Sequence, residues 1–151
     1  MNAVEATRER RPCIPRLGTR TTPTRLDLTV TQSGGTWNIS QDPLELHNDG
    51  DHAHWGLGNL ITSYPGATFE IEFTSGPSPL DTSLGPFVSL GRIGSELVGD
   101  QRINNWGCYI YDIWVKYPGG DRFKLPFTID PQIDNLAPPV MPYPGDDDPG
   151  E

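Results

Sequence analysis

Several features that mark common protein classes are scarce or absent in this sequence of 151 residues. It contains no run of about 18 apolar residues, which argues against a membrane-spanning helix. Only 2 cysteines are present, too few for a small secreted domain held together by closely spaced disulfides. Basic residues number 11 against 20 acidic ones, and the resulting net charge of −9 argues against a general nucleic-acid binder.

Glycine and proline, by contrast, are abundant, at 17 and 16 residues. Both residue types are unfavourable in helix interiors, so a helical bundle is excluded. Apolar residues alternate with polar ones from Leu26 to Val30 and again from Phe69 to Phe73, which is the period of a half-buried strand. Turn residues separate such stretches about every 8–12 positions, which predicts an all-β fold of two packed sheets.

Charge and composition divide the chain into three parts. Residues 1–25 hold six arginines against two glutamates and few large apolar side chains, which predicts a basic, flexible arm. Residues 26–134 form the predicted β-sandwich. Residues 135–151 hold five prolines and the acidic run at 146–148, which predicts a proline-rich extended tail.

The two cysteines also bear on the cellular compartment. Cys13 lies in the arm and Cys108 in a predicted strand, 95 positions later, and this arrangement gives no reason to expect a disulfide between them. We therefore expect Cys108 to be a small core residue. The first residues lack the apolar stretch of a signal peptide, so the sequence predicts a cytoplasmic protein.

The richest apolar run extends from Trp106 to Lys116, and a glycine-rich turn joins it to a partner strand at 123–129. Both faces of the run are mostly apolar, so we expect a central strand whose outer face is covered. The residues that we expect to be largely buried are Trp37, Ile39, Phe69, Ile71, Phe73, Tyr111 and Ile113.

The order of these signals resembles the cupredoxin-like family. Residues 37–43 end in Asp42-Pro43, residues 44–51 lead to a Gly50-Asp51 corner, and the next strand carries Trp55. The hairpin at 107–113 and the segment 129–133 resemble the last two strands of that family. The resemblance covers residues 28–133, and it implies a cupredoxin-like two-sheet sandwich with extended arms at both ends.

The resemblance does not extend to a copper site. Blue-copper members take a Cys, a His and a weak Met ligand from one short loop. Here no His follows Cys108, and Met141 is 33 positions beyond it. The chain therefore resembles the copper-free bacterial members, whose roles are mostly structural or unknown, and we expect no cofactor.

One polar cluster could hold a metal. Its weak candidate ligands are His47, Asp49, Asp51, His52 and His54. His52 and His54, two apart on a strand, should point to the same face, as in a cupin. The alternative interpretation is a tight turn with histidines at exposed hairpin positions, because the glycine, glutamate and further histidine of a cupin site are missing.

The sequence gives weaker evidence for hydrolysis or carbohydrate binding than for a metal site. No Gly-x-Ser-x-Gly occurs, so nucleophilic hydrolysis is not predicted. Glu70 and Glu72 share one face of a strand, which is more typical of a solvated face than of a glycosidase pair. Exposed aromatic residues could bind carbohydrate by stacking, although most should be core. The candidates are Trp55, Trp106, Tyr109 and Tyr111.

The sequence therefore predicts a non-catalytic structural or interaction subunit of a larger protein assembly that docks through its extended arms. The alternatives are a metal-binding or cupin-like enzyme centred on the three histidines, and a carbohydrate-binding module. The expected partners are other protein subunits, or an anionic surface met by the basic arm, rather than nucleic acid. The partner-binding candidates are Arg8, Arg10, Arg11, Arg16 and Arg20.

Overall fold

Alternating apolar residues form strands throughout the centre of the chain. The structure is a computed structural model that describes residues 12–14, 16–19, 22–56, 65–94 and 96–138. The first five strands are β1 (Arg25–Ser33), β2 (Thr36–Ile39), β3 (Leu44–Leu46), β4 (His52–Gly56) and β5 (Thr68–Ser75). The others are β6 (Phe87–Ile93), β7 (Glu96–Arg102), β8 (Gly107–Lys116), β9 (Arg122–Lys124) and β10 (Gln132–Asn135).

The strands form two mixed sheets, so the predicted all-β, two-sheet architecture is confirmed. The first sheet has the order β2-β1-β4-β7-β6, and the second has β3-β10-β8-β5, with β9 also paired to β8. The β1–β4 and β3–β10 pairs are parallel, whereas the other pairs are antiparallel. The described part of the chain has no helix long and apolar enough to cross a membrane.

The core lies between the sheets and is centred on aromatic side chains. Trp55 of β4 is fully buried and meets Phe87 and Tyr111 edge-on, with ring centroids 6.0 and 5.9 Å apart. Its indole Nε1 donates a hydrogen bond of 3.3 Å to the hydroxyl of Tyr111 on the facing sheet. This bond satisfies the one polar atom of the tryptophan and links the two sheets.

The burial of five predicted core residues is confirmed. Those five are Trp37, Phe69, Phe73, Tyr111 and Ile113. Ile39 and Ile71 are only partly buried, although both pack against the core, so they are less buried than the sequence predicts. Ile39 ends β2 and Ile71 lies on β5, and both strands are at the edge of their sheets, where fewer neighbours cover a side chain.

One strand was not predicted, and one predicted strand is shorter than expected. The sequence gives no strand signal at β7, yet β7 lies between β4 and β6 in the first sheet. Its Gly99 lies against the ring of Phe87, which a Cβ at that position would approach to 2.8 Å. The partner strand predicted at 123–129 is limited to β9, because Pro126 has no amide hydrogen with which to continue the ladder.

The most consequential correction concerns the cysteines, which form a Cys13–Cys108 disulfide. Cys108 is therefore not a free core thiol, contrary to expectation. We name residues 12–14 and 16–19 the N-terminal segment. The disulfide holds this segment against β8, and the amide of Gly18 donates to the carbonyl of Ala137 at 2.7 Å. The sequence predicts that the outer face of β8 is covered, and Cys13 covers part of that face.

Candidate functional site

The loop that precedes β4 is organised by one carboxylate. Asp51 is fully buried. One of its oxygens accepts from the amide of Thr24 at 2.9 Å, and the other accepts from the amides of His47 and Asn48 at 2.9 and 3.1 Å. Three backbone donors satisfy the buried charge, as a buried carboxylate requires. Asp51 therefore shapes the loop and has little capacity left for a metal.

His47 joins this loop to the N-terminal segment. Its ring is buried, and its Nδ1 accepts a hydrogen bond of 2.9 Å from the amide of Thr19. An accepting Nδ1 leaves the proton on Nε2, which lies 3.1 Å from Oε1 of Glu45. Partial burial acts to raise the pKa of Glu45, but hydrogen bonds from Arg16 and His47 outweigh it, so the pKa lies below its ordinary value.

His52 and His54 lie side by side on β4. Their rings meet edge-on, with centroids 5.1 Å apart, which confirms that they share a face. Nδ1 of His52 is 3.2 Å from the carbonyl of Gly50, and Nδ1 of His54 is 3.1 Å from Oε1 of Glu96. Nε2 of His54 is buried and has no hydrogen-bond partner among the described residues.

The predicted polar cluster thus separates into residues with different partners. His47 and His54 are only 6% and 7% exposed, so the interpretation of exposed hairpin histidines is wrong for both. The side chain of Asp49 is 80% exposed and lies 3.3 Å from Nε of Arg102. Among the described residues, no group of three or more potential ligands could hold a metal ion.

The candidate carbohydrate-binding aromatic residues are mostly interior. Trp55, Tyr109 and Tyr111 are fully buried, so they offer no stacking surface. Trp106 remains half-buried, with the guanidinium of Arg102 4.7 Å from its ring centroid. Glu70 is paired with Lys116 and Arg122 at 3.5 and 3.1 Å, an arrangement typical of a solvated sheet face.

Arg102 is a buried charge that the sequence pattern did not single out. It is 5% exposed, and its Nη1 donates to the carbonyl of Leu46 at 2.8 Å and also to the carbonyl of Leu136. Since Arg102 ends β7 in the first sheet, and these carbonyls lie on β3 and just after β10, the side chain ties the two sheets together. A single arginine in a polar strand gives no sequence signal for this role.

Among the predicted partner-binding arginines, Arg16 lies within the described part of the chain. It pairs with Glu45 and lies 3.7 Å from Asp134, so its charge is balanced inside the molecule. Arg8, Arg10, Arg11 and Arg20 fall outside the described residues. Residues 139–151 of the predicted tail also fall outside the described residues. The first residues of that predicted tail belong to the folded domain instead, since Asn135 lies in β10 and Leu136 is buried.

A cleft of about 490 Å³ lies between the N-terminal segment and the adjoining ends of β8 and β10. Its lining comes from three distant parts of the sequence: 13–14 with 16–17, 106–108 and 134–137. The Cys13–Cys108 disulfide lines this cleft and also a neighbouring cleft of about 360 Å³. Sequence reasoning missed the site because the unexpected disulfide brings the first of these parts to the other two.

Comparison with known proteins gives no family for the chain. No protein-family model matches it, and no curated protein is significantly similar to it in sequence.

Proposed function

We propose that the chain is a non-catalytic interaction subunit, built on a cupredoxin-like sandwich without a copper site, that docks on a partner protein through its N-terminal segment. The two mixed sheets are compatible with this fold. Two features that suggested the family support the proposal: Asp42-Pro43 lies between β2 and β3, and β4 carries Trp55. Cys108 is bonded to Cys13, so its sulfur is not a free thiolate ligand.

The observation that carries the docking role is an exposed apolar surface on a covalently fixed segment. Ile14 and Leu17 are 66% and 46% exposed, and they flank Arg16. The disulfide and the hydrogen bond of Gly18 hold the backbone around them. Fixing a binding segment before association reduces the entropy lost on docking, and aliphatic groups beside an arginine are a composition suited to protein interfaces.

The absence of catalytic activity is supported by how the polar groups are used. Asp51 and His47 satisfy backbone amides, and the carboxylates of Glu45, Glu70 and Glu96 face basic or imidazole groups of the same chain. Each of these polar groups is thus already engaged by another group of the same chain. The partner is proposed to be another protein, since Arg16 is already balanced and offers no spare charge to an anionic surface.

The same disulfide bears on the compartment in which the protein works. Such bonds persist in oxidising compartments and are rare in the cytosol. The cytoplasmic location expected from the sequence stays a prediction, and the bonded Cys13–Cys108 pair favours an oxidising compartment instead.

The test is capture of partners from the native source, with the unaltered chain compared with an Ile14→Ser, Leu17→Ser double variant. Val88→Ser is the matched control, because Val88 is a 53% exposed apolar residue that lies on β6 and not on the segment. We expect the double variant to lose specific partners that the control retains, with unfolding midpoints unchanged. Equal capture by all three proteins would refute docking through this segment.

A further inference from the structure

The Cys13–Cys108 disulfide lies at the surface of the molecule. Cys13 is exposed and Cys108 is half-buried, and the bond lines two neighbouring clefts of about 490 and 360 Å³. Disulfides that serve only to stabilise a fold resist reduction, whereas exposed ones are the labile and regulatory ones. The exposure of Cys13 therefore makes this bond a candidate site of thiol–disulfide exchange.

The strand that carries Cys108 does not depend on the disulfide for its place in the sheet. Cys108 lies opposite Asp134 in the ladder between β8 and β10. The remainder of β8 pairs with β5 on one side and with β9 on the other. Reduction of the disulfide breaks none of these backbone hydrogen bonds, so β8 should keep its position when the bond opens.

The N-terminal segment, by contrast, is held unequally along its length. Residues 16–19 have three contacts that do not involve sulfur: the Arg16–Glu45 ion pair, the Gly18–Ala137 hydrogen bond and the Thr19–His47 hydrogen bond. Within the part of the chain that the structure describes, no hydrogen bond or ion pair joins residues 12–14 to another residue. The position of Ile14 therefore depends on the disulfide, whereas that of Leu17 has other support.

We propose that the Cys13–Cys108 bond is a redox switch of the docking surface. A dithiol reduces it in the folded protein, which releases Ile14 while residues 16–19 and β8 stay in place. The effect on docking rests on the proposed function, whereas the opening of the bond and the release of Ile14 do not. A released Ile14 must be ordered again on association, so the reduced chain should dock more weakly than the oxidised chain.

The exchange has two steps. A thiolate of the dithiol attacks Sγ of Cys13, which forms a mixed disulfide and releases Cys108 as a thiolate. The second thiolate of the dithiol then attacks the dithiol sulfur of that mixed disulfide, closes the dithiol's own disulfide and releases Cys13. Two electrons pass from the dithiol to the cysteines, and the two protons of the dithiol end on the two cysteine thiols.

The rate at which dithiothreitol reduces the full chain tests whether the bond opens in the folded protein. We expect the rate of thiol release to be proportional to the dithiothreitol concentration and to change by less than about twofold in urea below the unfolding transition, because no unfolding is required. Oxidised glutathione in the same solutions is the control for any direct effect of urea on the chemistry. A rate that rises steeply with urea would show that reduction requires unfolding and would overturn the proposal.

Backbone amide order parameters from NMR relaxation show what the reduction releases. The order parameter of Ile14 should fall from the value of an ordered backbone, roughly 0.85, to below about 0.6. Those of Gly18 in the segment and Ile113 in β8 should stay at the ordered value. A Cys13→Ser, Cys108→Ser variant should show the lower value at Ile14 with and without the reductant. An unchanged Ile14 would overturn the switch, and so would an equal fall at Ile113, since the bond would then hold the whole domain.

Neither measurement uses a docking partner, so a failure of the switch can be distinguished from a failure of the docking role. A partner captured by the unaltered chain should bind the oxidised form at least about fivefold more tightly than the reduced form, since only the oxidised form presents an ordered Ile14. Equal affinity for the two forms would overturn the control of docking by the disulfide.

Discussion

Removing the Cys13–Cys108 disulfide should destabilise the protein strongly. The two cysteines are 95 positions apart, so the bond closes a loop that includes all of the first seven of the ten strands. For a loop of this size, the lost entropy of the unfolded chain corresponds to about 4.7 kcal/mol at 25 °C. In a chain of 151 residues this should lower the unfolding midpoint by about 10–20 °C.

The assay compares the unaltered protein with a Cys13→Ser, Cys108→Ser double variant by urea and thermal unfolding. The unaltered protein should show no reactive thiols when native and should lose stability when a reductant is added. The double variant should begin at the lower stability and should not respond to the reductant. A difference below about 1 kcal/mol, well under the usual disulfide contribution, would refute the argument.

Three further predictions concern side chains within the sandwich. Arg102→Met should lower the free energy of unfolding in urea by about 2–4 kcal/mol, because two buried carbonyls lose their donor. Asp49→Ala removes only an exposed partner of Arg102, so it should lower that free energy by less than about 1 kcal/mol. Equal losses for the two variants would contradict the role of Arg102 in joining the sheets. Burial raises the pKa of Tyr109 to about 12 from its ordinary value of 10.0, although a hydrogen bond from Asn135 acts to lower it. The stability from the neutral phenol is therefore complete below pH 10 and should be lost as the pH rises towards 12, and unfolding of Tyr109→Phe should depend less on pH across this interval. Ile113→Ala should cost about 2–5 kcal/mol, and Ile71→Ala clearly less, because only Ile113 is fully buried; the reverse order in unfolding would show that the assigned burial is wrong.

Local sequence patterns were sufficient for most of the strands. Alternation places β1, β5 and the β8–β9 hairpin close to their observed positions, because a strand's two faces are determined by neighbouring residues of the same chain. Strand β7 could not be predicted in this way, because contacts with distant strands determine it. Its residues alternate weakly, and it is a strand because β4 and β6 pair with it on both sides.

The histidine cluster shows the same division within a single site. The spacing of His52 and His54 correctly predicts a shared face, since that depends only on the period of the strand. Their burial and their partners do not follow from spacing. His54 meets Glu96, 42 positions away, and His47 meets Thr19, 28 positions away. Which residues bond is therefore a property of the folded chain.

By itself, the sequence determined that the protein is all-β, where most turns fall, and that all three histidines precede Cys108. Only the tertiary structure decided that Cys13 pairs with Cys108, that Arg102 is buried between the sheets, and that Trp106 and Asn135 share a cleft. The physical reason is how far apart in the chain the interacting residues are. Strand period and turn chemistry act between near neighbours in the chain, whereas disulfides, buried ion pairs and clefts depend on contacts made when distant segments pack together.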